Sequence, residues 1–238
     1  MFNAESRRKS ITTIVKKLVT SDPVLRKCVE IGVISPSKTA ELLKPAVEAY
    51  LETSVSLPAI KIALTRLMEE LKSVRDNDRS ASVTNILSRS SVELKTDISI
   101  LIVRITAMDK IYPAVIEVYK YARFLAVMHS ATAVTIVTDS NSIELFRKYV
   151  NREEVMLEQR DLAAVVIVSP EDIMYTPGVV SYITGILSSE GINIVHVESS
   201  YRDTIIVLSK QDASRAFNLL INLLEAIRTL NNKMFRSM

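Results

Sequence analysis

Two stretches of this chain, beginning at Asp97 and at Asp161, run through the same succession of short strand, helix, paired strands and helix. They align without a gap from Asp97 against Asp161 to Pro113 against Pro177, and resume with Phe146 against Phe217 once the second copy has gained seven residues. A duplication constrains a fold more tightly than composition does, because the two copies must bury equivalent faces. The gain falls around Ser189-Glu190-Gly191-Ile192-Asn193 and the hairpin after it, which is where the copies differ chemically.

The rhythm of each copy sets its elements. In the first, Ile98 to Ile105 is a buried strand by length and β-branching, and Pro113 to Leu125 is helical, with Val115, Val118, Tyr119 and Ala122 on one side. Val127 to Ser130 and Thr132 to Val137 follow as short strands, Ser142 to Tyr149 as a second helix, and Glu154 to Glu158 as a closing strand. This order, β-α-β-β-α-β, is the ferredoxin-like unit. The second copy offers a strand at Leu162 to Val168, a helix at Gly178 to Ser189, strands at Asn193 to Glu198 and Thr204 to Leu208, and a long helix from Asp212 toward Asn231. No closing strand is evident after it.

Before residue 75 the pattern is helical throughout. Ile11, Ile14, Val15 and Leu18 form the stripe of a first helix. Ser21-Asp22-Pro23 opens a second, which Gly32 closes. Ser35-Pro36 opens a third through Leu51, with Pro45 expected to kink or break it. After the turn Glu52-Thr53-Ser54-Val55, Ser56 caps a helix from Leu57 to Lys72 that faces Ile60, Leu64, Leu67 and Leu71 inward. Short helices joined by a tight turn resemble a helix-turn-helix. The expected organisation is a helical domain over residues 1–75, a connecting segment over 76–96 containing a short helix around Val83, Ile86 and Leu87, a first unit over 97–160 and a second over 161–238. The fold class is α+β.

With 238 residues and 48% hydrophobic content, the chain has material for one or two real cores. The single cysteine, Cys28, excludes an internal disulfide and fits a reducing cytoplasm. No stretch of about 18 apolar residues without a charge is present, so neither export nor membrane spanning is expected. The formal net charge of +3 conceals an asymmetry: residues up to 90 hold 15 Lys/Arg against 10 Asp/Glu, the remainder 15 against 17. That excess suits phosphate contact by the first domain, and is equally what an ordinary solvated surface carries.

The second copy has the equipment to hold a small zwitterion. Pro177-Gly178 opens a helix whose first N–H groups lack intrahelical partners, and glycine lets a carboxylate approach them closely. Asp172 precedes that turn and would pair with an ammonium group, while Asn193 offers both a donor and an acceptor. The first copy has Tyr112-Pro113-Ala114 at the corresponding place and nothing like Gly191-Ile192-Asn193, so it is expected to bind weakly or not at all. The competing reading takes Gly178 and Gly191 as helix-start and turn glycines and Asn193 as a turn residue.

The run Thr176-Pro-Gly-Val-Val-Ser-Tyr-Ile-Thr-Gly-Ile-Leu-Ser-Ser-Glu-Gly-Ile-Asn-Ile194 resembles the ACT domain, in the form found in aspartate kinases, over roughly residues 162–225. The first copy is a diverged second example. The resemblance implies an amino-acid-sensing module that pairs side by side, with ligand between the helix-opening loop of one copy and the second strand of its neighbour. It points to Asp172, Thr176, Pro177, Gly178, Val179, Asn193 and Ile194. Ser35 to Leu51 and Ser56 to Leu67 are similar to the helix-turn-helix segments joined to ACT domains in prokaryotic regulators of amino-acid metabolism. If the helix from Leu57 enters a major groove, Lys61 and Thr65 would face bases, and Ser54, Ser56 and Arg66 would touch phosphate. The alternative is a helical bundle whose exposed face is a dimer seam.

Catalysis has little support. His129 and His196 are the only histidines, and neither has spaced ligands, a phosphate loop or a nucleophile elbow near it. The residues before 97 are too few for a nucleotide-kinase domain, so no catalytic residue, metal or cofactor is expected. The expectation is a cytoplasmic, non-enzymatic regulator that binds an amino acid and, through its helical domain, DNA. It would dimerise or assemble further through the ACT-like units. Two alternatives stand beside it: a regulatory subunit that confers amino-acid feedback on a separate enzyme, and a structural dimer without ligand.

Overall fold

Residues 10–75 and 79–236 are described in the computed structural model of the protein, with side chains for all of these except 72–75, 79–82 and 232–236. The chain divides into two compact units, residues 1–79 and 80–238.

The first unit is helical: α1 (Ile11–Ser21), α2 (Pro23–Ile31), α3 (Pro36–Leu51) and α4 (Leu57–Arg75). Its boundaries follow from side-chain chemistry at the helix ends. The Ser10 hydroxyl caps α1, and the Asp22 carboxylate accepts from the N–H groups of Val24 and Leu25 with Pro23 in the first turn. Gly32 ends α2 in the left-handed region at φ 74°, and its N–H and that of Val33 bond back to the helix. The expected break at Pro45 does not occur, and α3 runs through it. Both Pro45 and Glu41, whose carbonyl loses its bond, are exposed, so the freed oxygen faces solvent and the helix is not broken for want of a partner. The buried stripe of α4, with Ile60, Leu64, Leu67 and Leu71, packs on Ile14, Val15, Val19, Val29, Leu43 and Val47 from the other three helices.

The second unit holds a mixed arrangement of helices and one antiparallel six-stranded sheet. It comprises α5 (Arg79–Ser88), β1 (Ser91–Arg104), α6 (Met108–Val118), β2 (Leu125–His129), β3 (Ala133–Asp139), α7 (Ser140–Tyr149), β4 (Val155–Val168), α8 (Val179–Ser189), β5 (Ile194–Ser200), β6 (Asp203–Ser209) and α9 (Lys210–Arg236). The strand order is β2-β3-β1-β4-β6-β5.

β1 and β4 are each longer than the sequence pattern suggests, and both cross the whole sheet. The latter half of β1 pairs with β3 and with the beginning of β4, while its opening residues, Ser91 to Lys95, pair with the end of β4, Ala164 to Val168. Ser91 to Lys95, upstream of Asp97, thus supply a strand next to the end of β4, with β6 and β5 beyond it. Residues read as a connection are the fourth strand beside β4, β6 and β5, with α5 packed on the same side: Val83, Ile86 and Leu87 join Val165, Ile167, Ile183, Leu220 and Leu224 in one core. Strand pairing between segments so far apart leaves no local signature.

α6 also departs from expectation. It begins at Met108 and ends at Val118, leaving Tyr119 to Tyr121 in a turn. Asp109 favours an early start in the first turn, and exposed Pro113 is carried inside the helix. The sequence alignment of Pro113 with Pro177 is consequently not a structural one, because Pro177 precedes its helix.

The helices cover one face of each half-sheet. On the helix-free side, Ile98, Ile100 and Val137 of one half and Leu162, Ala164 and Val207 of the other form a single buried cluster to which no helix contributes. The two half-sheets thus fold toward each other across that face.

Candidate functional site

The passage from β4 to α8, residues 169–178, is held at its start by a reciprocal pair of bonds with Arg202. The Ser169 N–H donates to the Arg202 carbonyl, and Arg202 Nε donates back to the Ser169 carbonyl, both at 2.8 Å. Glu171–Tyr175 forms a 3-10 turn whose Ile173 side chain enters the core. The Thr176 hydroxyl closes this turn by donating to the Asp172 carbonyl at 2.8 Å.

Gly178 then takes φ 96°, a conformation that favours glycine, and starts α8 with no side-chain cap. The first N–H groups of α8, those of Val179, Val180 and Ser181, are left to whatever occupies the space in front of them. That space is a cleft of 320 Å³ walled by Ile173, Met174, Thr176, Gly178, Val179 to Ser181, Ser199 and Tyr201. It joins a cradle of N–H groups, suited to a carboxylate, to an apolar wall of Ile173, Met174, Val180 and Tyr201.

Thr176, Gly178 and Val179 line this cleft as a site there requires, Val179 through its backbone because its side chain is buried in the core. Exposed Pro177 sits between them in the chain. The Asp172 carboxylate is already engaged, accepting from Arg89 Nη2 at 2.8 Å. Asn193 and Ile194 lie elsewhere. β4 and β5 both run antiparallel to β6, so the loop after Val168 adjoins the end of β5 at Ser200, while Ile194 pairs with Leu208 at the other end. The separation along the strand is roughly 20 Å.

Ile173, Met174, Val180 and Ser181 line the cleft beside the residues read from the sequence, and three further residues come from other parts of the chain. Ser199 and Tyr201 reach the cleft because β5 ends where the loop begins, and Arg89 meets Asp172 from the α5–β1 junction. The Ser199–Asp203 hairpin was visible in the sequence, but the neighbour of its tip is set by strand order.

The first half has no counterpart to this cleft entrance. β1 passes into α6 through Ile105–Ala107, three residues against the longer loop of the second half.

In the helical unit, Ser54, Ser56, Lys61, Thr65 and Arg66 are all exposed. The Thr65 hydroxyl donates to the Lys61 carbonyl at 3.0 Å, and Glu70, late in α4, pairs with Lys16. A groove of 340 Å³ between the first turns of α3 and α4 is lined by Ser37, Ala40, Glu41, Leu57, Pro58 and Lys61. Among the described residues, no three His, Cys, Asp or Glu side chains converge as a metal site would need, and no helix is long and apolar enough to cross a membrane.

Residues 157–222, which contain the loop, the cleft and the strands beside it, match the ACT-domain family model. Among solved structures, the chain is similar to aspartate kinase of Clostridium acetobutylicum at 14% identity and a TM-score of 0.47, over 57% of this chain and 34% of that one. It is similar to the ligand-free regulatory subunit of aspartate kinase from Thermus thermophilus at 18% identity and a TM-score of 0.43, over 56% of this chain and 96% of that one. Aspartate kinase from Synechocystis shows 14% identity and a TM-score of 0.48, over 58% of this chain and 27% of that one. The chain thus spans about a third or less of the two kinases, and nearly all of the regulatory subunit. No curated protein matches the chain.

Proposed function

We propose that this protein is an amino-acid-responsive regulator in which the second ACT-like half binds the effector, the helical unit contacts DNA, and two chains pair through their sheets. The observation that carries the reading is the cleft at the uncapped start of α8, inside the segment that matches the ACT family.

Reading the sheet as two diverged ferredoxin-like units supports it. The first half of the sheet carries α6 and α7, the second α8 and α9 with α5 added, and each half takes the strand order of that unit once Ser91–Lys95 is assigned to the second. Pairing supports it too, because β2 and β5 are the two outer strands, each with one unpaired edge. If β5 of one chain runs antiparallel to β5 of another, Asn193 and Ile194 of the second chain arrive at the cleft of the first. An effector held there would bridge the chains, with its carboxylate on the α8 N–H groups and Asn193 supplying a donor and an acceptor. The effector would favour one arrangement of the pair in proportion to its different affinities for the two arrangements.

For the DNA output, the exposed face of α4 carries Lys61, Thr65 and Arg66, with Ser54 and Ser56 in the turn before it. Glu69 and Glu70 come late enough in α4 to stay clear of a groove entered by its first turns. A cytoplasmic, non-enzymatic role agrees with this reading.

The test is a thermal-shift screen of the purified protein against the twenty amino acids. The reading requires one clear stabiliser, since a ligand that binds only the folded state raises its melting temperature. Asn193→Ala should abolish that shift while leaving the unliganded melting temperature in place. DNA affinity that falls steeply with salt and is weakened by Lys61→Ala with Arg66→Ala would establish the DNA output. A stabilising amino acid without any DNA affinity would favour a feedback subunit of a separate enzyme, and no stabiliser at all would favour a structural dimer.

A further inference from the structure

The loop that walls the cleft is gripped by α5 and the residues that follow it. Arg89 holds the Asp172 carboxylate. One residue on, the buried Ser90 hydroxyl bonds to Ser169 Oγ at 3.1 Å. At the other end of the loop, a Cβ added to Gly178 would lie 3.8 Å from Val83 Cγ2, so α5 is in van der Waals range of the cap of α8. The α5–β1 junction is itself fastened by Arg228 of α9, which donates to the carbonyls of Ser88 and Ser90 at 2.9 and 2.6 Å.

These contacts link the cleft to α5. Thr176 lines the cleft and bonds to Asp172, Asp172 bonds to Arg89, and Arg89 directly follows α5 in the chain. We propose that α5, through Arg89, is the clamp that sets the loop 169–178, so that the state of the loop is felt in α5. This rests on the effector reading above and adds the positioning residue that couples the cleft to α5.

The strength of the clamp suits a switch. Both side chains of the Arg89–Asp172 pair are about half exposed, at 46% and 65%, so the pair shifts a local opening equilibrium by only about two- to fivefold. A ligand with modest preference for the released loop overcomes that, whereas it would leave a buried pair intact. Linkage then demands the reverse effect: loosening α5 changes ligand affinity by the factor with which ligand loosens α5.

The test is amide hydrogen exchange on the full chain, comparing the parent, Arg89→Met, Asp172→Asn and the charge swap Arg89→Asp with Asp172→Arg. Without ligand, both single variants should speed exchange in residues 83–90 and 169–178 together by about two- to fivefold, leave α7 unchanged, and be rescued by the swap. Acceleration confined to one of the two segments, or no acceleration, overturns the clamp. With an amino acid that raises the melting temperature of the parent, exchange in residues 83–90 should change in the parent but not in Arg89→Met, which still binds. If that amino acid binds the parent and leaves 83–90 unmoved, the coupling is wrong while the effector reading stands. If no amino acid stabilises the parent, the effector reading fails, and the clamp is judged by the ligand-free comparison alone.

Discussion

Asp97 and Asp161 hold left-handed backbone conformations, φ 58° and 57°, on the neighbouring strands β1 and β4, where they flank the paired residues Ile98 and Leu162. The register slips by one residue on each strand at this place, so each aspartate occupies a bulge. The two starting points of the repeat are thus the two points at which a long strand leaves one half-sheet and enters the other.

Left-handed backbone is tolerated by aspartate better than by most residues, yet glycine adopts it without a Cβ penalty. Asp97→Gly and Asp161→Gly should each be neutral or stabilise by up to about 1 kcal/mol, whereas Asp97→Val should cost about 1–2 kcal/mol. Denaturant midpoints at constant slope measure this, and a destabilising glycine at both sites would show that the carboxylates matter more than the backbone. The ions facing Asp97, Arg123 and Lys210, stand 3.9 Å away and are exposed, so their loss is a small correction.

The assignment of Ser91–Lys95 as fourth strand of the second half makes a sharp distinction between two fragments. Residues 80–238 should unfold cooperatively, while 97–238, which begins at the repeat, should lose dispersion in the signals of β4, β6 and α8. That fragment leaves the end of β4 unpaired on one side and removes Val92 and Leu94 from the core they pack against. Equal midpoints for the two fragments would contradict the strand assignment.

Asp139 caps α7 with its carboxylate and is 3% exposed. Burial pushes its pKa up, but the bonds it accepts from the Arg123 N–H and from the hydroxyl and N–H of Ser142 outweigh this and hold it below the usual 3.8. A depressed folded value means that its stabilisation is complete above the unfolded pKa and disappears as pH falls through the folded one. Asp139→Ala should therefore cost about 1–2 kcal/mol at neutral pH, and the gap between parent and variant should narrow below about pH 4. Urea titrations at pH 7 and pH 3 test both parts.

His196 pairs with Val207 on the helix-free face, and its Nε2 is buried without a partner, 4.0 Å from Glu198 Oε2. An unsatisfied polar atom costs more than an apolar group in the same place. His196→Phe should raise stability by about 1 kcal/mol. A drop in the denaturant midpoint would show that His196 makes contacts its packing does not reveal.

Local physics made much of this legible. The apolar stripes of α1 and α4, the caps at Asp22 and Ser35 and the stop at Gly32 follow from residues within a turn of one another, and the helix-opening Pro177-Gly178 carries its own conformational demand. The Ser91-Val-Glu-Leu-Lys95 run alternates as a strand does, but nothing near it in sequence says which strand receives it.

Sequence by itself therefore determined the helical first unit, most of the strand and helix order after residue 97, and the helix start at Pro177-Gly178. Tertiary structure alone decided that Ser91–Lys95 pairs with the end of β4, that Asp172 faces Arg89, and that Asn193 lies at the far end of β5 from the cleft. The division has one physical cause. Capping and periodicity act over a few residues, whereas sheet register is fixed by pairing and burial between segments far apart in the chain, which no local pattern encodes.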